Sequence, residues 1–302
     1  MKTFNIIKVS PQGYCGGVLK AIEIAKQTRN QFPTTPITIL GNLVHNEYVK
    51  KALSLYQINT IEDPKKNRME LLDEVQEGII IFTAHGVSKD VQKKAQDKGL
   101  QIVDASCPFV LQTQNIIHQK LEEGYTILYI GKNHHPEAEA IYTMSDKVHL
   151  IQPNDLIPDD LEEPIFVTNQ TTMSIMDIKD TFHSILNQYP NAEIHDEICN
   201  ATRIRQQAVL NLIHQNVDTL IVVGDPTSNN TKQLANIGKQ AQIPQIIEIQ
   251  DVSQLQVEQL KKGSTIAITS GASTPTYLTE QITTYLEKYP CKKQEIRIQD
   301  IL

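Results

Sequence analysis

The chain has 302 residues, with 28 Lys and Arg against 35 Asp and Glu, a net charge of −7. Hydrophobic residues make up 40% and aromatics only 5% with no Trp, so a core has to be built from Ile, Val and Leu, and the regular apolar segments exclude a disordered chain. The acidic balance lacks the basic field that nucleic-acid binding needs, and no apolar stretch approaches the ~20 residues of a membrane span. The N-terminal residues hold no apolar run long enough for a secretion signal, and four cysteines in a chain this long make no disulfide scaffold. The expectation is a cytoplasmic protein that binds neither nucleic acid nor membrane. Length alone suggests about two domains; the internal repeats revise that to three.

The cysteines fall at Cys15, Cys107, Cys199 and Cys291, each gap being 92 residues. Three of them share a context. An extended apolar segment precedes each, at 4–9, 100–103 and 192–198. A helical pattern follows each, carried by Val18, Ile22 and Ala25, by Val110, Ile117 and Leu121, and by Ile204, Ala208 and Leu212. A second apolar strand then ends at Gly41, Gly131 or Gly224, which lie 26, 24 and 25 residues after the respective cysteine. A polar loop comes next: Asn42, His45 and Asn46, then Asn133 to Glu137, then Asp225 to Asn230. Later in each repeat, strands at 79–83, 165–168 and 265–269 run into small-residue turns that each open another helix. These are Ala84-His85-Gly86-Val87-Ser88, Asn169-Gln170-Thr171-Thr172 and Ser270-Gly271-Ala272-Ser273-Thr274-Pro275. Short strands alternating with helices predict parallel βα units, and the lack of strict alternation fits sheets covered on both faces.

Cys291 breaks the pattern. It follows the last helix and precedes an extended segment expected at 294–299, with no room for a further helix, and reads as an ordinary cysteine. The piece missing from the third repeat, a strand leading into a cysteine, stands at the N-terminus. The predicted fold is therefore α/β, with three pseudo-threefold-related βα lobes closing a ring, a trefoil: 15–106, 107–198, and 199–302 completed by 1–14.

In parallel βα units ligands collect beyond the carboxyl ends of the strands, where helix N-termini point. The three cysteines, three polar loops and three turns all belong to that end. A helix N-terminus lowers a thiol pKa and favours anions. Three converging thiolates suit an iron–sulfur cluster with one iron left open, and Cys107-Pro108 also echoes ferredoxin ligand runs. Three buried cysteines acting as small hydrophobes are the bland alternative. Zinc is the rival metal, although structural zinc normally uses closely spaced cysteine pairs, and none occurs here. The loops supply His45, His85, His135, Glu137, Thr171, Ser228, Asn230 and Ser273 with few Lys or Arg, a composition that suits a small anion held by neutral donors and helix dipoles. Glu137, beside a His-Pro turn, suits a proton donor whose pKa is raised by its surroundings. Ser228, Ser273 and Thr171 also read as plain turn-formers or helix caps. His118, His149, His183, His195 and His214 read as surface or packing residues.

Nine motifs occur in order: Gly13-Tyr14-Cys15-Gly16-Gly17-Val18, Val44-His45-Asn46, Thr83-Ala84-His85-Gly86-Val87-Ser88, Asp104-Ala105-Ser106-Cys107-Pro108, His135-Pro136-Glu137, Gln170-Thr171-Thr172, Ile198-Cys199-Asn200-Ala201-Thr202, Ser228-Asn229-Asn230 and Gly271-Ala272-Ser273-Thr274-Pro275. Over about residues 10–280 the chain resembles the 4-hydroxy-3-methylbut-2-enyl diphosphate reductase family, whose reaction ends the non-mevalonate (methylerythritol phosphate) isoprenoid pathway. That resemblance implies a three-lobed protein around a central [4Fe–4S] cluster on Cys15, Cys107 and Cys199, one per subunit. It implies a diphosphate held by His45, His85, His135, Ser228, Asn229, Asn230 and Ser273, and a substrate hydroxyl bound at the open iron. Thr171 would relay protons and orient the substrate, with Glu137 as their source. A ferredoxin or flavodoxin as electron donor is implied by analogy. The chain departs from the family pattern at Asn229, where Ser is common, at Asn200, where an aromatic is frequent, and at Ala140, where Gly is common. Two other classes fit parts of the pattern: a zinc- or iron-dependent phosphohydrolase using His45, His85, His135 and Glu137, which lacks the clustered carboxylates of two-metal hydrolases, and a non-catalytic iron–sulfur module, which would not need Glu137.

Overall fold

The computed structural model describes residues 4–302. Strand β1 (Asn5–Lys8) is followed by helix α1 (Gly16–Gln31), β2 (Ile37–Leu40), α2 (Glu47–Leu55), β3 (Asn59–Ile61), α3 (Arg68–Asp73), β4 (Ile79–Phe82), α4 (Lys89–Asp97) and β5 (Gln101–Asp104). The middle of the chain adds α5 (Pro108–Glu122), β6 (Thr126–Ile130), α6 (Pro136–Tyr142), β7 (Val148–Ile151), β8 (Ile165–Asn169), α7 (Ile175–Gln188) and β9 (Glu193–Ile194). The last third contributes α8 (Asn200–Leu210), β10 (Thr219–Val223), α9 (Asn229–Gln240), β11 (Gln245–Ile249), β12 (Thr265–Ser270) and α10 (Thr276–Glu287).

The strands form three four-stranded sheets with the orders β5-β4-β2-β3, β9-β8-β6-β7 and β1-β12-β10-β11. Every ladder is parallel. The protein is thus α/β, with three βα lobes of one plan. In each lobe the strand that leads into a cysteine lies at one edge, the strand that leads into the small-residue turn lies next to it, and the glycine-ended strand comes third. Residues 5–8 pair with 265–268, so the N-terminal strand completes the third sheet. The equivalence extends to single bonds. Gly41, Gly131 and Gly224 donate their N–H to Ile61, Ile151 and Ile249 at 2.8, 2.9 and 2.9 Å.

This order has a consequence for function. The chain steps from the third strand outward to the fourth, then jumps back to the second. The loops after the second and third strands therefore leave the sheet in opposite directions, the switch point at which α/β sheets bind ligands. The polar loops and the small-residue turns are those loops.

The side chains explain the strands. Ile79, Ile80, Ile81 and Phe82 are all at most 1% exposed, as a strand covered by helices on both faces requires. Each such side chain contributes about 1.5–3 kcal/mol on burial. Helix starts are written in the caps: Asn67, Ser88, Ser174 and Ser228 each accept a main-chain N–H of the first turn. Gly41 has a φ of +91°, and a Cβ there would collide with the Arg68 guanidinium, so only glycine fits the turn that ends β2.

By their contacts the residues group into two compact units, Met1–Leu19, His45–Leu55 and Asn200–Leu302 in one, Lys20–Val44 and Tyr56–Cys199 in the other. Helix α2, which the repeat counts with the first lobe, thus groups with the residues of the third. Two expected strands differ from the structure. The segment 192–198 is a strand only at Glu193–Ile194; the Asp196 side chain takes the Ile198 N–H at 2.9 Å, and this local turn outcompetes the ladder. The segment 294–299 is not a strand. The Glu295 carbonyl accepts from Gln281 and Tyr277 and the Arg297 N–H bonds Tyr277, all on or from α10, so side chains take the groups that a neighbouring strand would use.

Candidate functional site

The three cysteines of the repeat stand at equivalent junctions. Cys15 comes one residue before α1, Cys107 is the N-cap of α5 with Pro108 at the first helical position, and Cys199 comes one residue before α8. Each main-chain N–H is bound by the turn after the neighbouring strand: Cys15 to the Ala272 carbonyl at 2.9 Å, Cys107 to Ala84 at 3.0 Å and Cys199 to Thr171 at 3.1 Å. These thiols therefore sit at the positive ends of helices. All three are partly exposed and none is in a disulfide. Cys107 occupies a position usually filled by Ser, Thr, Asp or Asn, yet its side chain makes no cap bond. Cys291, by contrast, is exposed and lies beyond α10.

In the unit that holds 56–199, Glu137 is the centre of the polar groups. It is 2% exposed. Thr171 donates its N–H to Oε1 at 2.8 Å and its hydroxyl to Oε2 at 3.0 Å. Burial pushes the Glu137 pKa up to about 7, against the pull of the two Thr171 hydrogen bonds. His135 caps α6, its Nδ1 accepting the Glu137 N–H at 3.2 Å; the neutral ring then carries its hydrogen on Nε2. The His85 ring lies edge-on to that of His135, centroids 5.4 Å apart, and its Nδ1 is 3.4 Å from the Thr83 hydroxyl. His85, His135, Glu137 and Thr171 thus gather at the ends of β4, β6 and β8.

In the other unit, Ser228 caps α9 by accepting the Thr231 N–H. The Ser273 hydroxyl donates to the His45 carbonyl at 2.9 Å and lies 3.5 Å from that of Ser228. Asn229 and Asn230 are buried in the first turn of α9. Asn230 holds two segments together, its Oδ1 accepting the Ala272 N–H at 3.0 Å and its amide donating to Thr202 at 3.1 Å. The His45 main chain and the side chains of Ser228, Asn230 and Ser273 therefore form one hydroxyl- and amide-rich loop cluster. Asp225 fastens it: its Oδ2 accepts the Glu47 N–H at the start of α2, and its Oδ1 accepts from Thr227.

Two side chains of the quoted motifs have places at the site that the sequence does not assign. Aligning the turns on the carbonyls that bind the cysteines puts His85, Thr172 and Ser273 at one position, so Thr172 is the third member of that set. Gln170 is fully buried, accepts the Lys132 N–H at 2.9 Å and donates to Thr172 at 3.0 Å, tying the loop before His135 to the turn that carries Thr171. The repeat spacing, applied residue by residue, finds Thr172; Gln170 stands in the motif Gln170-Thr171-Thr172, but its bond to Lys132 is fixed by the fold. His195, a surface or packing residue by its sequence, is half exposed and lies 2.7 Å from Glu197.

The family profile described as LytB protein matches residues 6–287. The chain belongs to the LytB family. Members with high similarity are the proteins named 4-hydroxy-3-methylbut-2-enyl diphosphate reductase of Brevibacillus brevis, 47% identical over 94% of this chain and 92% of the relative, and of Shouchella clausii, 44% identical over 94% and 91%. Among solved structures, the E-1-hydroxy-2-methyl-but-2-enyl-4-diphosphate reductase of Plasmodium falciparum aligns with a TM-score of 0.86 at 30% identity, covering 95% of this chain and 89% of that one. A second, described as (E)-4-hydroxy-3-methyl-but-2-enyl diphosphate reductase, the terminal enzyme of the non-mevalonate pathway, aligns at 0.62 and 27%, covering 93% and 98%. These relatives are reductases, and the phosphohydrolase alternative finds no support among them. No helix among the described residues is long and apolar enough to cross a membrane.

The residues of this LytB family member fit an iron–sulfur group by their donor chemistry. Cluster iron takes cysteine thiolates, and three thiols, none in a disulfide and each at a helix start, offer that donor set.

Proposed function

We propose that the protein reduces 4-hydroxy-3-methylbut-2-enyl diphosphate to isopentenyl diphosphate and dimethylallyl diphosphate, the last step of the non-mevalonate isoprenoid pathway. One C–O bond breaks, two electrons and two protons are taken up, and the hydroxyl leaves as water. The observation that carries the proposal is the threefold junction, a cysteine at a helix start whose N–H is tied to the turn beside it, in a chain of this family. Each of the lobes 15–106, 107–198 and 199–302 with 1–14 would contribute one ligand, so that Cys15, Cys107 and Cys199 hold a [4Fe–4S] cluster. When bound, that group supplies single electrons and an iron position open to substrate. A ferredoxin or flavodoxin would deliver the electrons.

The remaining chemistry belongs to side chains. The diphosphate would be held by His45, His85, His135, Ser228, Asn229, Asn230 and Ser273, neutral donors that bind an anion without a competing cation. His135, with Nδ1 occupied by the Glu137 N–H, offers Nε2–H to that anion. A Glu137 carboxyl with a pKa near 7 is half protonated at neutral pH, which suits a general acid. In its acid form it donates through Oε2 to the Thr171 hydroxyl 3.0 Å away, and a hydroxyl can accept one hydrogen while passing on its own. Thr171 thus relays protons from a buried acid to the substrate.

The test is anaerobic purification, counting of iron and acid-labile sulfide, a visible spectrum, and then reduction of the substrate with a chemical donor. A brown protein with iron and sulfide in equal amounts that forms both products is expected. A colourless zinc protein, or one that releases phosphate without reducing the carbon skeleton, overturns the proposal.

A further inference from the structure

Two hydrogen bonds that play no part in the chemistry above occupy the same place in the repeat. The residue two before Cys199 is Glu197, 7% exposed. Its carboxylate Oε2 accepts from the hydroxyl of Thr113 at 3.0 Å, and Thr113, 1% exposed, lies on α5, the helix that Cys107 caps, six residues after that cysteine. The residue two before Cys15 is Gly13. Its carbonyl accepts from Arg205 Nη2 at 2.8 Å, and Arg205, 3% exposed, lies on α8, six residues after Cys199. The pattern is the same: minus two from one cysteine meets plus six from another.

Both turns are also held from the other side. The Glu197 N–H bonds Asn169 Oδ1 at 3.2 Å, and the Gly13 N–H bonds Ser270 Oγ at 2.9 Å; Asn169 and Ser270 are the last residues of β8 and β12. Arg205 Nη1 reaches the Ala201 carbonyl in the first turn of its own helix at 3.0 Å. Gly13 adopts φ of +80°, with Thr276 Oγ1 where a Cβ would stand. At the remaining junction the two positions are Ala105 and Ala21, both buried, and neither side chain can hydrogen-bond.

We propose that Glu197 and Arg205 are positioning residues for the iron ligands, each locking the turn that ends in one cysteine onto the helix that begins at another. This rests on the iron–sulfur reading above. The reason is geometric. A ligand turn free to rock by even a fraction of an ångström presents its sulfur to iron less often in the bonding position, and outer groups that fix ligands typically change metal retention by about 10–100-fold. Arginine suits its place because its planar, pre-organised fork bonds two carbonyls in a fixed geometry. Glu197 acts as a hydrogen-bond acceptor, with its other oxygen occupied by His195.

The test follows cluster loss from the anaerobically purified, iron-loaded protein on addition of an iron chelator, together with the low-temperature EPR spectrum of the reduced protein and the thermal midpoint of the iron-free chain. Thr219→Val is the control, removing a partly buried 2.8 Å hydrogen bond to Gln245 at the start of β10, the opposite end of the strands from the cysteines. Thr113→Val and Arg205→Met are expected to release iron about 10–100-fold faster with an altered EPR line shape. Their iron-free midpoints should fall no further than that of the control. Glu197→Gln, which keeps an acceptor for Thr113, should recover most of the lifetime that Glu197→Ala loses. Wild-type lifetimes and spectra in Thr113→Val and Arg205→Met overturn the proposal, as does iron loss that only tracks a lowered midpoint. A wild-type protein without a cluster defeats the iron–sulfur reading itself, which is a different result.

Discussion

Glu137 and Asn230 stand at the same place in the repeat, six residues after the glycine that ends the third strand of the sheet, and they do opposite things. Glu137 is a carboxyl buried against two Thr171 donors, its pKa lifted to about 7. Asn230 is a neutral amide spent on bracing Ala272 and Thr202. The third occupant of that place, Glu47, is exposed and reaches Lys50 at 4.0 Å. Counted from the glycine, one place in the repeat therefore carries an acid, a brace and a solvated charge, although Glu47 opens its helix and the other two are the second residues of theirs. The backbone is threefold and the chemistry is not. In the proposed function a symmetric framework would present three sulfurs, whereas proton delivery and anion binding would call for unlike groups, which different side chains at repeated positions would supply.

The sharpest way to break this contrast is to make the acid resemble the amide. Glu137→Gln keeps the shape and one acceptor for Thr171 but has no proton to give. Turnover is expected to fall by about 10²–10⁴-fold, with the brown colour retained; full turnover in steady-state assays would remove Glu137 from the reaction. The same variant has a stability signature. The folded pKa of about 7 lies above the unfolded value. Between the two the unfolded chain loses a proton that the folded chain keeps, so the wild type loses stability as pH rises across that window, and below it the cost vanishes. Relative to wild type, Glu137→Gln should gain stability as pH is raised from 5 to 8, by at most about 3 kcal/mol, read as a growing difference in unfolding midpoint. A difference independent of pH would mean that Glu137 is ionised throughout.

The converse change sharpens the comparison from the other side. Asn230→Asp puts a charge into the loop assigned to the diphosphate and removes the donor to Thr202. Repulsion of a buried anion by a carboxylate costs several factors of ten in principle and less where water screens it. KM for the substrate is expected to rise by about 10–100-fold, with a smaller change in kcat because the proton source is untouched. An unchanged KM would take Asn230 out of the anion site and leave it as a brace alone.

How much of this could be read from the sequence follows from the range over which each feature is determined. The strands, the glycines that end the third strand of each sheet and the turns that open helices depend on neighbours a few residues away, and the repeat displays each of them three times. The cysteine junctions were legible for the same reason. What stayed hidden depends on contacts far along the chain. Gln170 meets Lys132 across 38 residues, Glu197 meets Thr113 across 84, and Arg205 meets Gly13 across 192. The shortened β9 is a different failure: the apolar run 192–198 favours a strand, but Asp196 supplies a closer partner for the Ile198 N–H than any ladder could.

Regular spacing itself is the last thing to test. Cys291 lies 92 residues beyond Cys199, the same interval that separates the three candidate ligands, so spacing alone would make it a fourth. Its surroundings argue otherwise. It is exposed, it follows α10 rather than preceding a helix, and its sulfur lies 3.7 Å from the Tyr285 carbonyl, a local contact within the same turn of chain. A thiol there gains nothing from a helix start, and among the described residues no turn carbonyl fixes its main chain as Ala84 fixes Cys107. Cys291→Ser should therefore leave iron content and turnover unchanged and shift stability by no more than about 0.5 kcal/mol, while Cys107→Ser should lose the cluster. Loss of iron from the Cys291 variant would mean that interval, not junction, selects the ligands, and the threefold reading of the chain would fall with it.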